Sequence, residues 1–155
     1  MPDIRFGLFS QGDISKVPYL VAFIASQRTL NRVEKKHLTL LLKTAWIGMR
    51  MKIYVASCGE QVVGCVLLSS HDSLFGPRWY VENLMVAAEC KDHGVGHRLM
   101  RMLGDDARKA GIRKIYMTRD TFQVGGSQAY YDSIDYDSAW RQYRVDMFYY
   151  RLAES

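Results

Sequence analysis

No apolar run in these 155 residues approaches the ~18 needed to cross a membrane as a helix, so no membrane association is expected. The opening residues, Met1-Pro2-Asp3-Ile4-Arg5, lack the basic-then-apolar layout of a secretory signal, and a cytoplasmic location is expected. Cysteine is scarce. The three present, Cys58, Cys65 and Cys90, are odd in number and lack CxxC spacing, which argues against a disulfide framework or a zinc site. No metal is implied. There is no internal repeat, low-complexity tract or Pro/Ser-rich linker, so one domain spanning 1–155 is the simplest organisation. There is also no run of like charge. The net charge of +5 is spread over separated residues such as Lys52, Lys91, Arg98 and Lys114, compatible with a solvated surface or an anionic ligand. A nucleic-acid partner is not expected, because no basic stripe or recognition motif is present.

What is present reads as a mixed α/β chain. Residues 4–10 alternate in part, as a strand does. Asp13 is placed to cap a helix carrying Val17, Leu20, Val21 and Ile24, with Pro18 in its first turn. Asn31 and Glu34 have capping-box spacing and open a second helix through Val33, Leu38, Leu41, Leu42 and Ala45. Lys52–Ala56 and Val62–Ser69 read as strands around a turn at Cys58-Gly59-Glu60-Gln61. His71–Pro77 reads as a loop and Arg78–Ala87 as a strand. Gly94–Ala110 reads as a helix with Val95, Leu99, Met102, Leu103, Ala107 and Ala110 on one face, stopped by Gly111. Lys114–Thr118 is a short strand, Ser127–Tyr131 a short helix, and Arg144–Leu152 an aromatic last strand. The order is β-α-α-β-β-β-α-β-α-β.

The segment from Val86 to Leu99 carries the most information. A strand ends, a polar loop follows, and Gly94 and Gly96 open a helix. Glycine allows positive φ and close backbone approach. The first N–H groups of a helix lack internal partners, and its dipole is positive at that end. Together these suit a pyrophosphate, with Lys91, His97 and Arg98 adding charge. The same pattern is also that of a plain tight turn. A dinucleotide fingerprint would need a third glycine where Leu99 stands, and no Gly-Lys-Ser/Thr of a P-loop occurs.

These residues resemble the GNAT superfamily of N-acetyltransferases. The family's cofactor motif, Gln/Arg-x-x-Gly-x-Gly/Ala, reads here as Lys91-Asp92-His93-Gly94-Val95-Gly96, with Lys at the first position. A second signature, an aromatic-Tyr pair before Gly-Phe, reads Tyr130-Tyr131-Asp132-Ser133-Ile134-Asp135-Tyr136. Asp135 replaces the usual Gly, and Val124 the usual upstream Asn. Tyr80-Val81-Glu82-Asn83-Leu84-Met85-Val86 is similar to a strand of polyamine and small-amine acetyltransferases. The likeness covers Arg78 to Tyr150 well.

The resemblance implies a single-domain GNAT-like fold, a mixed, mostly antiparallel sheet flanked by helices. It implies acetyl-CoA as co-substrate. The backbone of Leu84, Met85 and Val86 would pair with the pantetheine arm. The amides of Asp92, His93, Gly94, Val95, Gly96, His97 and Arg98 would hold the pyrophosphate. It further implies transfer of acetyl to a primary amine, of a small molecule or a protein. A different class of function, a CoA-binding sensor or scaffold without catalysis, fits the same motifs.

Acetyl transfer needs an amine that has lost a proton, donors for an oxyanion, and an acid for the leaving thiolate. Glu82 is the candidate base. It lies four residues before Val86 and, on strict alternation, shares that residue's face. A salt-bridged surface glutamate is the plain alternative. Tyr131 is the candidate acid by motif position, against a packed aromatic, with Tyr130 the core member of the pair. Cys90 lies near basic residues as a nucleophile would, but without a His/Asp arrangement. His37 and His71 read as surface or capping groups. Asp132, Asp135 and Asp137 are either an acidic mouth or loop carboxylates. The aromatic end, Phe148-Tyr149-Tyr150, offers an edge for a homodimer.

Overall fold

Strands Ile4–Leu8 (β1), Met51–Cys58 (β2), Gln61–Ser73 (β3) and Gly76–Val86 (β4) form consecutive antiparallel neighbours. Lys114–Met117 (β5) then pairs in parallel with β4, and Arg144–Met147 (β6) in parallel with β5. The sheet order is therefore the chain order, six strands long. The helices are Val17–Gln27 (α1), Arg32–Thr44 (α2) and Val95–Lys109 (α3). This computed structural model describes residues 3–44, 50–112, 114–117 and 144–147. The expected short helix at Ser127–Tyr131, the far end of the last strand and its dimer edge lie outside those residues. So do Tyr130, Tyr131 and the Asp132–Asp137 cluster.

Directly opposed residues in neighbouring strands share a face of the sheet. Tyr54, Val66, Leu68, Trp79 and Val86 thus lie on one face with Gly64. That face receives α3. A Cβ added to Gly64 would lie 3.0 Å from Val95 Cγ1 and 3.2 Å from Leu99 Cδ1, so only glycine admits the helix this close. The opposite face buries Ile53, Cys65, Leu67 and Met85, and α1 packs against β3 with α2 beside it. Tyr54, Leu68, Leu99, Leu103 and Ile115 are among the largest fully buried side chains, and they fill the centre.

Several local expectations are corrected. The first helix is preceded by a 3-10 turn at Gln11–Lys16 that Ser10 caps, with Asp13 as the returning carboxylate; α1 itself starts at Val17. The Asn31–Glu34 box forms as expected, Asn31 N donating to Glu34 at 2.7 Å and Glu34 N to Asn31 Oδ1 at 2.9 Å. The expected apolar face of α2 is covered only in part: Leu42 is buried and Leu38 packs half-buried against the core, while Val33 is 76% and Leu41 38% exposed.

The expected loop at His71–Pro77 is instead a tight hairpin. β3 runs to Ser73 and β4 resumes at Gly76, leaving only Leu74 and Phe75 between them. Ser73 Oγ accepts from Phe75 N at 3.2 Å and donates to Gly76 O at 2.6 Å, and Gly76 takes φ of +102°.

Helix α3 ends as its Gly111 suggests. Gly111 has φ of +72°, and Ile112 N and Gly111 N donate back to Ala107 O and Arg108 O at 2.8 and 3.1 Å, a Schellman stop. Ala110, expected on the buried face, is exposed just past the helix, while Met100 near the start of α3 is fully buried.

Candidate active site

Val86 and α3 are held together by a short segment. Ala87 N donates to Val63 O at 2.8 Å, extending the β3–β4 ladder by one residue. Ala88–His93 then forms a 3-10 turn, and Gly94 follows with φ of +70° as the residue before α3. Among the described residues beyond its chain neighbours, nothing lies within 4 Å of where a Gly94 Cβ would stand, so its backbone is open to approach. Lys91, Asp92, His93, Gly94 and Arg98 are exposed, His97 half-buried, and Val95 and Gly96 buried.

Three N–H groups, of Val95, Gly96 and His97, thus precede the first helical bond, which Arg98 N makes to Gly94 O at 3.0 Å. The helix dipole adds to them. A pyrophosphate fits this arrangement of open glycine, amides and exposed cations. Arg98 lies with its guanidinium 4.3 Å over the Phe6 ring, a cation–π contact.

The candidate base lies at an irregularity in β4. Leu67 opposes Asn83, but Leu68 opposes Val81, so Glu82 is an extra residue with no partner in β3. This β-bulge breaks the alternation by one. Tyr80 opposes Ser69 and Arg78 opposes His71, whereas Val86 opposes Gly64. The Glu82 carboxylate reaches Ser69, so it stands on the Ser69 face and not on the face of Val86. The expected sharing of a face fails for that reason.

Around Glu82 the face is polar and aromatic. Ser69 Oγ donates to Glu82 Oε1 at 2.5 Å, and His71 Nε2 lies 3.0 Å from the same Oγ. The His71 ring meets Tyr80 edge-on at 5.0 Å. Tyr80 stacks on Tyr116 at 5.0 Å, and the Arg78 guanidinium caps Tyr116 at 5.6 Å. Ser69 and His71 were not expected here. Their signal was the continued alternation of β3 past Ser69, hidden by reading His71 as the start of a loop.

Pairing of β4 with β5 covers Trp79–Val81 only. Among the described residues no strand pairs with that edge of Leu84, Met85 and Val86, whose other edge is taken by β3. Their backbone is thus available on one side.

The Cys90 thiol does not suit nucleophilic work. It is buried, and burial first, then the charge of Glu89 and the nearby Cys58, push its titration upward. A cleft of about 440 Å³ lined by Arg5, Lys16, Tyr19 and Glu60 includes none of the residues at Glu82 or at the start of α3.

The sequence model of the acetyltransferase (GNAT) family matches residues 21–136. The chain belongs to that family. No curated protein sequence matches it. Solved GNAT structures share the fold at low identity. An aminoglycoside acetyltransferase from an uncultured soil metagenomic sample, solved with sisomicin, is 17% identical with a TM-score of 0.67, over 96% of each chain. A ribosomal-protein-alanine N-acetyltransferase from Brucella melitensis biovar Abortus is 16% identical with a TM-score of 0.67, over 96% of this chain and 99% of its own. A predicted acetyltransferase of Clostridium acetobutylicum solved with acetyl-CoA is 16% identical with a TM-score of 0.59, over 74% of this chain and 79% of its own. As a GNAT acetyltransferase, this protein is in a family that uses acetyl-CoA to acetylate amines.

Proposed function

We propose that this GNAT protein transfers acetyl from acetyl-CoA to a primary amine by direct attack in a ternary complex, with residues 1–155 acting as one domain. The observation that carries this reading is the bulge at Glu82, which seats a carboxylate on an accessible face of β4 just before the segment Leu84–Val86. Acetyl-CoA supplies the thioester. The start of α3, from Gly94 to Arg98 with Lys91 nearby, holds its pyrophosphate, and the open edge of Leu84, Met85 and Val86 lies along its pantetheine arm.

Glu82 takes a proton from the substrate ammonium, whose solution pKa is about 10. A backbone N–H of β4 past the bulge donates to the carbonyl oxygen as it gains charge. Tyr131 donates its phenolic proton to the departing sulfur. A cationic acceptor suits a carboxylate flanked by Tyr80 and His71, and the acceptor is an amine of a small molecule or of a protein.

Thiol release from acetyl-CoA, measured over spermidine, sisomicin and a peptide with N-terminal alanine, tests the reading. At least one amine should be acetylated. Glu82→Gln should lose more turnover at neutral pH than at high pH, where the amine deprotonates unaided. Binding of acetyl-CoA with no release above background would instead mark a sensor or scaffold.

A further inference from the structure

Ser69 has one hydroxyl proton and two polar neighbours. Its Oγ lies 2.5 Å from Glu82 Oε1 and 3.0 Å from His71 Nε2. A base is ionised before it acts, and two oxygens this close need the proton between them. The hydroxyl is therefore committed to Glu82, and only lone pairs of Oγ face the imidazole. It follows that His71 presents an N–H from Nε2. The chain runs one way, from His71 Nε2–H to Ser69 Oγ, and from Ser69 O–H to Glu82 Oε1. Glu82 Oε2 makes no hydrogen bond among the described residues.

We propose that Ser69 and His71 are positioning residues of the base. Ser69 pins Oε1, so that Oε2 is the oxygen left to meet the amine. His71 removes the alternative rotamer in which the Ser69 hydroxyl would donate to the imidazole. Tyr80 holds the ring edge-on for that task. Counted from Tyr80, alternation brings residue 82 to the Ser69 face, and the bulge lets Leu84 and Val86 beyond it keep the Gly64 face. No proton passes along the chain. Oε2 takes it from the ammonium and returns it to water, to which Glu82 is exposed.

This proposal rests on Glu82 being the base, and its test separates the two. Steady-state kinetics are measured with acetyl-CoA and the fastest of spermidine, sisomicin and the alanine peptide. Ser69→Ala should lower kcat about tenfold, the worth of one hydrogen bond to a carboxylate, with both KM values within about twofold. Ser69→Thr, which keeps a hydroxyl, should restore most of it. His71→Ala should give a smaller loss, because Ser69 can still donate. Ser69→Ala added to Glu82→Gln should cost nothing further, since the two act as one unit. The proposal is overturned if Glu82→Gln is impaired while Ser69→Ala is not, or if the two losses multiply in full. Loss of the fold in Ser69→Ala, seen as a lowered Tm that Ser69→Thr does not restore, also overturns it, for Ser69 is then structural. Full activity of Glu82→Gln, or no turnover with any of the three amines, sinks the base assignment and this proposal with it.

Discussion

Tyr54 on β2 donates its phenol to the Asp106 carboxylate on α3 across 2.9 Å, a side-chain hydrogen bond that ties the sheet to the helix. Burial first, and then Asp106, drive the Tyr54 phenol above its ordinary range. Burial also pushes the Cys65 thiol up to about 12. Both groups keep their protons in the folded state at a pH where the unfolded chain has lost them. Stability should therefore be complete below about pH 8.5, fall gently from there through Cys65, and fall more steeply above about pH 10 through Tyr54. Tyr54→Phe should flatten the steeper limb while lowering Tm at neutral pH. Thermal melts between pH 7 and 11 check this; an unchanged alkaline slope in Tyr54→Phe would assign it to another group.

Gly94 offers a test of the proposed pyrophosphate site that leaves the core alone. Its φ is +70°, and among the described residues beyond its chain neighbours no atom lies within 4 Å of an added Cβ. A substitution there meets backbone strain and little else. Gly94→Asn should be mild, Gly94→Ala should cost about 1–2 kcal/mol, and Gly94→Val more. Acetyl-CoA affinity, measured by calorimetry, should fall in the same order as the first turn of α3 shifts. Equal affinity across the series would place the phosphates elsewhere.

Gly64 governs how closely α3 lies on the sheet. An Ala there would put its Cβ 3.0 Å from Val95 Cγ1 and 3.3 Å from Met85 O, so the helix must retreat slightly. Overpacking of this kind costs about 1–3 kcal/mol, a fall in Tm of roughly 2–10 °C for a chain of this size. A Tm within 1 °C of the parent would show that Val95 and Leu99 re-rotamer freely.

Tyr131→Phe keeps the ring and removes only the hydroxyl. As the proposed thiolate acid, its loss should cost about 10²–10⁴-fold in kcat with little change in acetyl-CoA affinity. Tyr130→Phe is the control and should be near neutral. The reverse result exchanges the roles of the pair, and two silent variants remove a tyrosine acid from the mechanism.

The elements that announce themselves locally were legible in the sequence. The Asn31–Glu34 box, the Gly111 stop and the Gly94 start are each fixed by one or two residues whose chemistry admits few alternatives. What failed was information held between segments. Leu74 and Phe75, 99% and 90% exposed, carry none of the usual turn chemistry, so the sequence does not announce the β3–β4 hairpin or the place of His71 in a strand. Val33 and Leu41 satisfy a helical period yet stay exposed, because which stripe of α2 is covered depends on α1. The face of Glu82 was misjudged because counting by twos assumes every residue has a partner. A bulge is visible only in the register of two strands together.

That surplus residue has an implication for how the strand tolerates change. Excising Glu82 would leave Val81 and Asn83 adjacent, facing Leu68 and Leu67 as they already do. Every other pair along β4 could be kept, and the side chains on either side would retain their orientation. The ladder would become more regular than it is now. A one-residue gap at Glu82 or Asn83 is thus nearly invisible to folding, while a gap farther along β4 would change the face of each residue between it and the bulge. Relatives that lack the residue should keep the architecture and part with the carboxylate. The chain carries position 82 as an insertion that the sheet itself has no use for.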